Sequence, residues 1–197
     1  VYGAEAGLSV AQISLFVATF FVGSVLLQYP IGWISDRMDR RQLIIIVAII
    51  GLGGSILGMM LGHLFSLLLV SAFVVGGMSN PLYSLLIAHT NDFLNHEDMA
   101  AASGGLVFIN GLGAILGPII TGWLMGTALG PGGFYLFTAV LFGAMALYAA
   151  YRATQRASVP VEDTSSYVPV SATGTAVAVE YAQEVAIEAE QEAESAA

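Results

Sequence analysis

Five ionisable residues, Asp36, Arg37, Asp39, Arg40 and Arg41, crowd into one short stretch, while no Asp, Glu, Lys or Arg stands between Glu5 and Asp36 or between Arg41 and Asp92. An arginine guanidinium pairs with a carboxylate through parallel N–H donors, and a carboxylate such as Asp36 accepts from the open amides of a helix N-terminus. Such a cluster can fasten helix ends together, and Asp92 has the right sign to join it from further along the chain. The arginines alone also admit a plainer role, since cationic loops set which way a membrane chain faces.

A second polar group interrupts an otherwise apolar run. Asn80 and Ser84 are four residues apart with Tyr83 beside them, which places them on one broad face of a helix. Pro81 removes one amide donor and kinks a helix, while Gly76 and Gly77, one turn earlier, let a neighbour come close or the backbone flex. Broken helices near a membrane midplane are where transported solutes bind. Asn80, Tyr83 and Ser84 are therefore candidate solute contacts; the competing use is bonding to other helices or to backbone freed by Pro81. Gln28, close to the charged loop, and Asn110, midway along a later apolar run, are candidates for the same cavity. Gly113 and Gly117, followed by Pro118, have the spacing that lets two helices pack closely.

His89, Asp92, His96, Glu97 and Asp98 gather around another loop. A solvated loop is preferred there to a metal site, with His89 able to sense protonation. No nucleophile and base stand out as a pair, so neither an enzyme nor a cofactor is expected. The chain has no cysteine, which excludes disulfides and iron–sulfur clusters, and no lysine, which removes the phosphate-binding loop of nucleotide hydrolases. Its five arginines make no patch large enough for nucleic acid.

Long apolar spans must position these residues. Of 197 residues, 57% are hydrophobic and 10% charged, with a mean hydropathy of +0.82, whereas a soluble domain is about a quarter charged. Five apolar runs follow, at Ser9 to Ile34, Leu43 to Leu61, Leu64 to Ala88, Ser103 to Met125 and Phe134 to Tyr151. The first opens on Ser9 and Gln12, spaced as a capping box, and at 1.5 Å per residue is about 39 Å long, enough to cross a ~30 Å hydrocarbon layer with tilt. Arg37, Arg40 and Arg41 follow the first run, and Arg152 and Arg156 follow the fifth. Four spans separate the two groups, so all the arginines lie on one face, cytoplasmic by the positive-inside rule.

The pattern Gly32-x-x-x-Asp36-Arg37-x-x-Arg40-Arg41 resembles the loop signature of the major facilitator superfamily of transporters, Gly-x-x-x-Asp-Arg-x-Gly-Arg-Arg/Lys. Asp39 stands where the family usually has glycine, a departure that suits the second copy of the signature, between helices eight and nine. The stretch from Gly7 to Met125 is similar to the C-terminal half of bacterial inner-membrane facilitators whose substrate is mostly unassigned. Gly104, Gly113, Gly117, Pro118 and Gly122 resemble a glycine signature of antiporters, with Thr121 replacing its penultimate glycine. That signature belongs to the fifth helix and the eleventh is its repeat counterpart, so antiport does not follow.

The resemblance implies an all-α membrane protein, with five transmembrane helices of a six-helix half over residues 1–156. These would be helices eight to twelve, with Val1 to Gly7 the outer end of a seventh. Helices two to six of an N-terminal half are the alternative register. Gly32, Asp36, Arg37, Arg40, Arg41 and Asp92 would form a cytoplasmic latch, whose partner lies largely in the N-terminal half. The third span would line the central cavity, and the second and fifth would face lipid. Function would be movement of a small solute by alternating access, as a secondary carrier in the bacterial inner membrane with a cytoplasmic C-terminus. The partners implied are the solute, the lipid bilayer and the N-terminal six-helix half. A non-transporting sensor or assembly protein on the same helices is the alternative. No Asp, Glu, Lys or Arg lies inside a span, so proton coupling would fall to His89 or to the other half.

Residues 157–197 form a separate compartment. Eight of the fourteen acids lie beyond Val159 in an Ala/Glu-rich stretch, where adjacent glutamates repel, and a disordered cytoplasmic tail is expected.

Overall fold

The structure, a computed structural model, describes residues 1–93, 99–155, 164 and 167–169, apart from the side chains of 99–101 and 103. A short helix α1 (Tyr2–Glu5) precedes five long ones: α2 (Val10–Ser35), α3 (Arg40–Leu61), α4 (Phe65–Asn91), α5 (Met99–Met125) and α6 (Gly132–Gln155). All five are long and apolar enough to cross a membrane, α5 from Gly104 onward. No strand occurs among the described residues.

Local chemistry sets the helix ends. Ser9 caps α2 by accepting from Gln12 N–H while the Gln12 side chain accepts from Ser9 N–H at 2.9 Å, so two otherwise open amides are satisfied. Asp39 caps α3 by accepting from Arg41 N–H at 2.9 Å, which starts this helix three residues before its apolar run. Gly130, at φ +52°, lets the chain reverse between α5 and α6. The interior prolines Pro30, Pro81 and Pro118 leave α2, α4 and α5 continuous.

Within lipid there is no hydrophobic drive to bring helices together, so association depends on close backbone approach and interhelical hydrogen bonds. The α2–α4 contact shows both. A Cβ at Gly23 would run into the Phe73 carbonyl and one at Gly76 into the Phe20 carbonyl, and Ser24 Oγ donates to Gly76 O at 2.8 Å. Gly76 and Gly77 thus serve approach: a Cβ at Gly77 would stand 3.0 Å from Gly23 O.

Helix α3 lies between α4 and α6. Its outer face, with Ile46, Ile49, Ile56 and Met59, is exposed. Its other face carries a glycine stripe that sequence reading missed. Gly51 receives the Phe142 ring, Gly54 the Val74 side chain, and Gly58 both Tyr135 and Ser71. Ser71 Oγ also donates to Gly54 O at 2.8 Å, so this hydroxyl of α4 faces α3. Away from the arginines, Tyr2 of α1 joins the bundle by stacking on Phe16 at 5.4 Å and meeting the Tyr135 ring edge-on at 5.2 Å.

Helix α5 is different. It packs on α6 and touches α4 where Leu106 and Val107 meet Tyr83 and Ile87, and most of its remaining surface is uncovered. Among the described residues, no atom outside the local backbone of α5 lies within 4 Å of a Cβ placed at Gly113 or Gly117.

Candidate functional site

The charged loop brings the ends of three helices together around one side chain. Arg40 is 2% exposed. Its Nε donates to Ser35 Oγ at the end of α2 (3.2 Å), and its Nη1 to Ala88 O near the end of α4 (3.2 Å) and to Asp92 Oδ1. Its Nη2 stands 3.7 Å from Asp36 Oδ1. The Asp92 side chain is itself 2% exposed. A buried guanidinium is tolerated where its donors and charge are both answered, as they are here. This arrangement holds helix ends in register; it carries no nucleophile.

The structure gives the three arginines, alike in sequence, three different surroundings. Arg37 is exposed, donates to Trp33 O at 3.0 Å and lies 4.1 Å above the Trp33 ring. Arg41 is buried 5.7 Å from the Phe93 ring. It lines a recess of about 390 Å³ between α3, α4 and α6, together with His89, Tyr148 and Arg152. Asp39, the departure from the facilitator signature, acts as the cap of α3 described above.

A second recess, of about 330 Å³, opens beside α2 and is lined by Gln28, Gly32, Trp33, Asp36, Tyr167 and Pro169. Asp36 accepts from Tyr167 N–H at 2.9 Å. Burial pushes the Tyr167 phenol above its ordinary value, and the nearby Ser84 and Gln28 side chains oppose that rise. Sequence reading missed Tyr167 altogether, because nothing local marks a residue 131 positions away as a neighbour of Asp36.

The candidate solute contacts divide. Gln28 lines the second recess, and Ser84 is buried near Tyr167. Tyr83 packs instead against Ile87, Leu106 and Val107, one turn from Asn110 on α5. Asn80 is half-buried, and neither it nor Asn110 lines either recess. The His89 ring meets Phe93 edge-on at 5.2 Å. Among the described residues no group of His, Asp and Glu is placed to hold a metal ion. His96, Glu97, Asp98, Arg156 and all but four residues of the tail lie outside the described residues.

Comparison with known proteins agrees with this architecture. The chain is 30% identical over 145 residues to YfkF, an uncharacterized MFS-type transporter of Bacillus subtilis strain 168, covering 72% of this chain and 36% of that protein. It is 27% identical over 119 residues to YcaD, an uncharacterized MFS-type transporter of Escherichia coli strain HS, covering 60% of this chain and 30% of that protein. The chain thus spans about a third of the length of these relatives. No solved structure matches it. The sequence profile described as Major Facilitator Superfamily matches residues 1–183, and the chain belongs to that family.

Proposed function

We propose that the chain supplies five helices of the C-terminal six-helix half of a secondary transporter, which moves a small solute across the bacterial inner membrane by alternating access. The observation that carries this is the Arg40 cluster, in which one buried guanidinium binds the ends of α2, α3 and α4. Helices tied at one end move together, as rocking of one half against another requires. Gly32, Asp36, Arg37, Arg40, Arg41 and Asp92 then act as the cytoplasmic latch. The arginines at this end favour a cytoplasmic C-terminus. Gln28, Asn80 and Ser84 are the proposed solute contacts, with Tyr83 and Asn110 beside them. Gly113 and Gly117 are proposed to pack against a helix from outside this chain. The solute, the bilayer and an N-terminal half are the partners.

Thiol labelling tests the proposal, since the chain has no cysteine of its own. A carrier in its native membrane should let a membrane-impermeant reagent reach Asn80→Cys from either side, and solute should slow the modification. A sensor or assembly protein on these helices would keep Asn80→Cys dry. Failure of labelling from both sides would overturn transport.

A further inference from the structure

Beyond α6, residues 164 and 167–169 lie at the charged end of the bundle. Tyr167 gives its N–H to Asp36 at 2.9 Å. Its ring lies on Gly32 so closely that the three atoms nearest a Cβ there all belong to Tyr167, the first being Cδ1 at 2.5 Å. Pro169 lines the same recess. Thr164 reaches a smaller one formed by Asp39, Arg40, His89 and Asp92. Described residues of the tail therefore bond Asp36 and line the recess beside Arg40 and Asp92.

We propose that the groove along α2 at Gly32 is a docking site for the chain's own segment 167–169, which plugs the recess beside Gln28 and closes the cytoplasmic end of the solute path. The closure rests on the transport proposal above; the docking does not. Three features recommend this occupant. Gly32 leaves a bare backbone strip that takes an aromatic ring, and no residue of α3 or α4 is nearer to it than Tyr167. The Asp36 carboxylate, 40% exposed and 3.7 Å from Arg40, has acceptor capacity left for a backbone amide. Pro169, having no N–H, lines the recess without an open amide donor. The Tyr167 hydroxyl is buried beside the Ser84 and Gln28 side chains.

The test reads alkylation of Gln28→Cys in inside-out vesicles carrying the full chain, with a charged, impermeant thiol reagent. With Tyr167 in place modification should be slow, and Tyr167→Phe should keep it slow, because the ring that covers Gly32 is retained. Tyr167→Ala should speed it by about tenfold, and Gly32→Ala by a similar factor, since its methyl group evicts the ring. Alkylation of His63→Cys, at the other end of the bundle and read from the opposite face in right-side-out vesicles, should not change in any of these backgrounds, which separates undocking from loss of the fold. Equal rates at Gln28→Cys with and without Tyr167→Ala would overturn the docking. A rise at Gln28→Cys with none at Asn80→Cys would keep the docking and overturn the closure.

Discussion

Helices α4 and α5 are each 27 residues long, and each carries an interior proline and glycines, yet their surroundings are opposite. The glycines of α4 are met by the backbone of α2, and its neighbours Ser71, Leu85 and Ala72 are essentially inaccessible. The glycines of α5 meet none of the described residues of other helices, and Phe108, Ile115 and Trp123 are 67%, 64% and 69% exposed. A glycine in a membrane span therefore reports packing only where another backbone is present to use it. What also separates the two helices is their anchorage at the charged end. Asp92 and Ala88 hold α4 to Arg40, whereas the described contacts of α5 are with α6 and the Tyr83–Ile87 surface of α4.

The largest expected effect is at that anchor. Arg40→Ala strips the cation from a carboxylate that is itself buried and should destabilise the bundle by about 3–5 kcal/mol, read as loss of folded protein on heating in mild detergent. Arg37→Ala, at an exposed site stacked on Trp33, should cost no more than about 1 kcal/mol. An equal loss for the two would erase the distinction between them.

Next comes the glycine contrast itself. Gly76→Val forces a branched side chain against the Phe20 carbonyl and should cost about 1–3 kcal/mol or more. In this chain by itself, with no outside helix on α5, Gly113→Ala should be neutral or stabilise by up to about 1 kcal/mol through helix propensity. Thermal unfolding of the two variants side by side checks this. A cost at Gly113 matching that at Gly76 would mean that α5 is covered by something in the sample.

The smallest effect is at the interhelical hydroxyl. Ser24→Ala removes the bond to Gly76 O and should cost about 0.6 kcal/mol, the usual size for such bonds in membranes. Ser14→Ala, whose hydroxyl donates to Val10 O within its own helix, should sit at the limit of detection. If Ser14→Ala proves the costlier, the α2–α4 contact does not depend on that bond.

Much of this was legible in the sequence because it is local. Charge-free runs mark the spans, Ser9 and Gln12 mark a capped start, and opposite charges at Arg40 and Asp92 make a pairing conceivable. The boundaries that moved have local causes too: α3 begins at Arg40 because Asp39 caps it, and α4 runs on to Asn91 past its apolar stretch. What could not be read depends on contacts far apart in the chain. Three neighbouring arginines carry no sign of which is buried. Gly51, Gly54 and Gly58 were a visible small-residue stripe, but only the placement of Phe142, Val74 and Tyr135 gives it meaning. Tyr167 sits in a stretch whose composition suggests nothing beyond a tail, and its place against Gly32 is purely tertiary.

The most direct check is sidedness. Single cysteines at Arg37, His63 and Arg152, introduced one at a time, can be labelled in intact cells and in inverted vesicles. An odd number of spans on either side of His63 predicts that Arg37→Cys and Arg152→Cys react from one face, the cytoplasmic one, and His63→Cys from the other. Arg37→Cys and Arg152→Cys reacting from opposite faces would contradict the five-span bundle and, with it, the common face on which the latch and the plug depend.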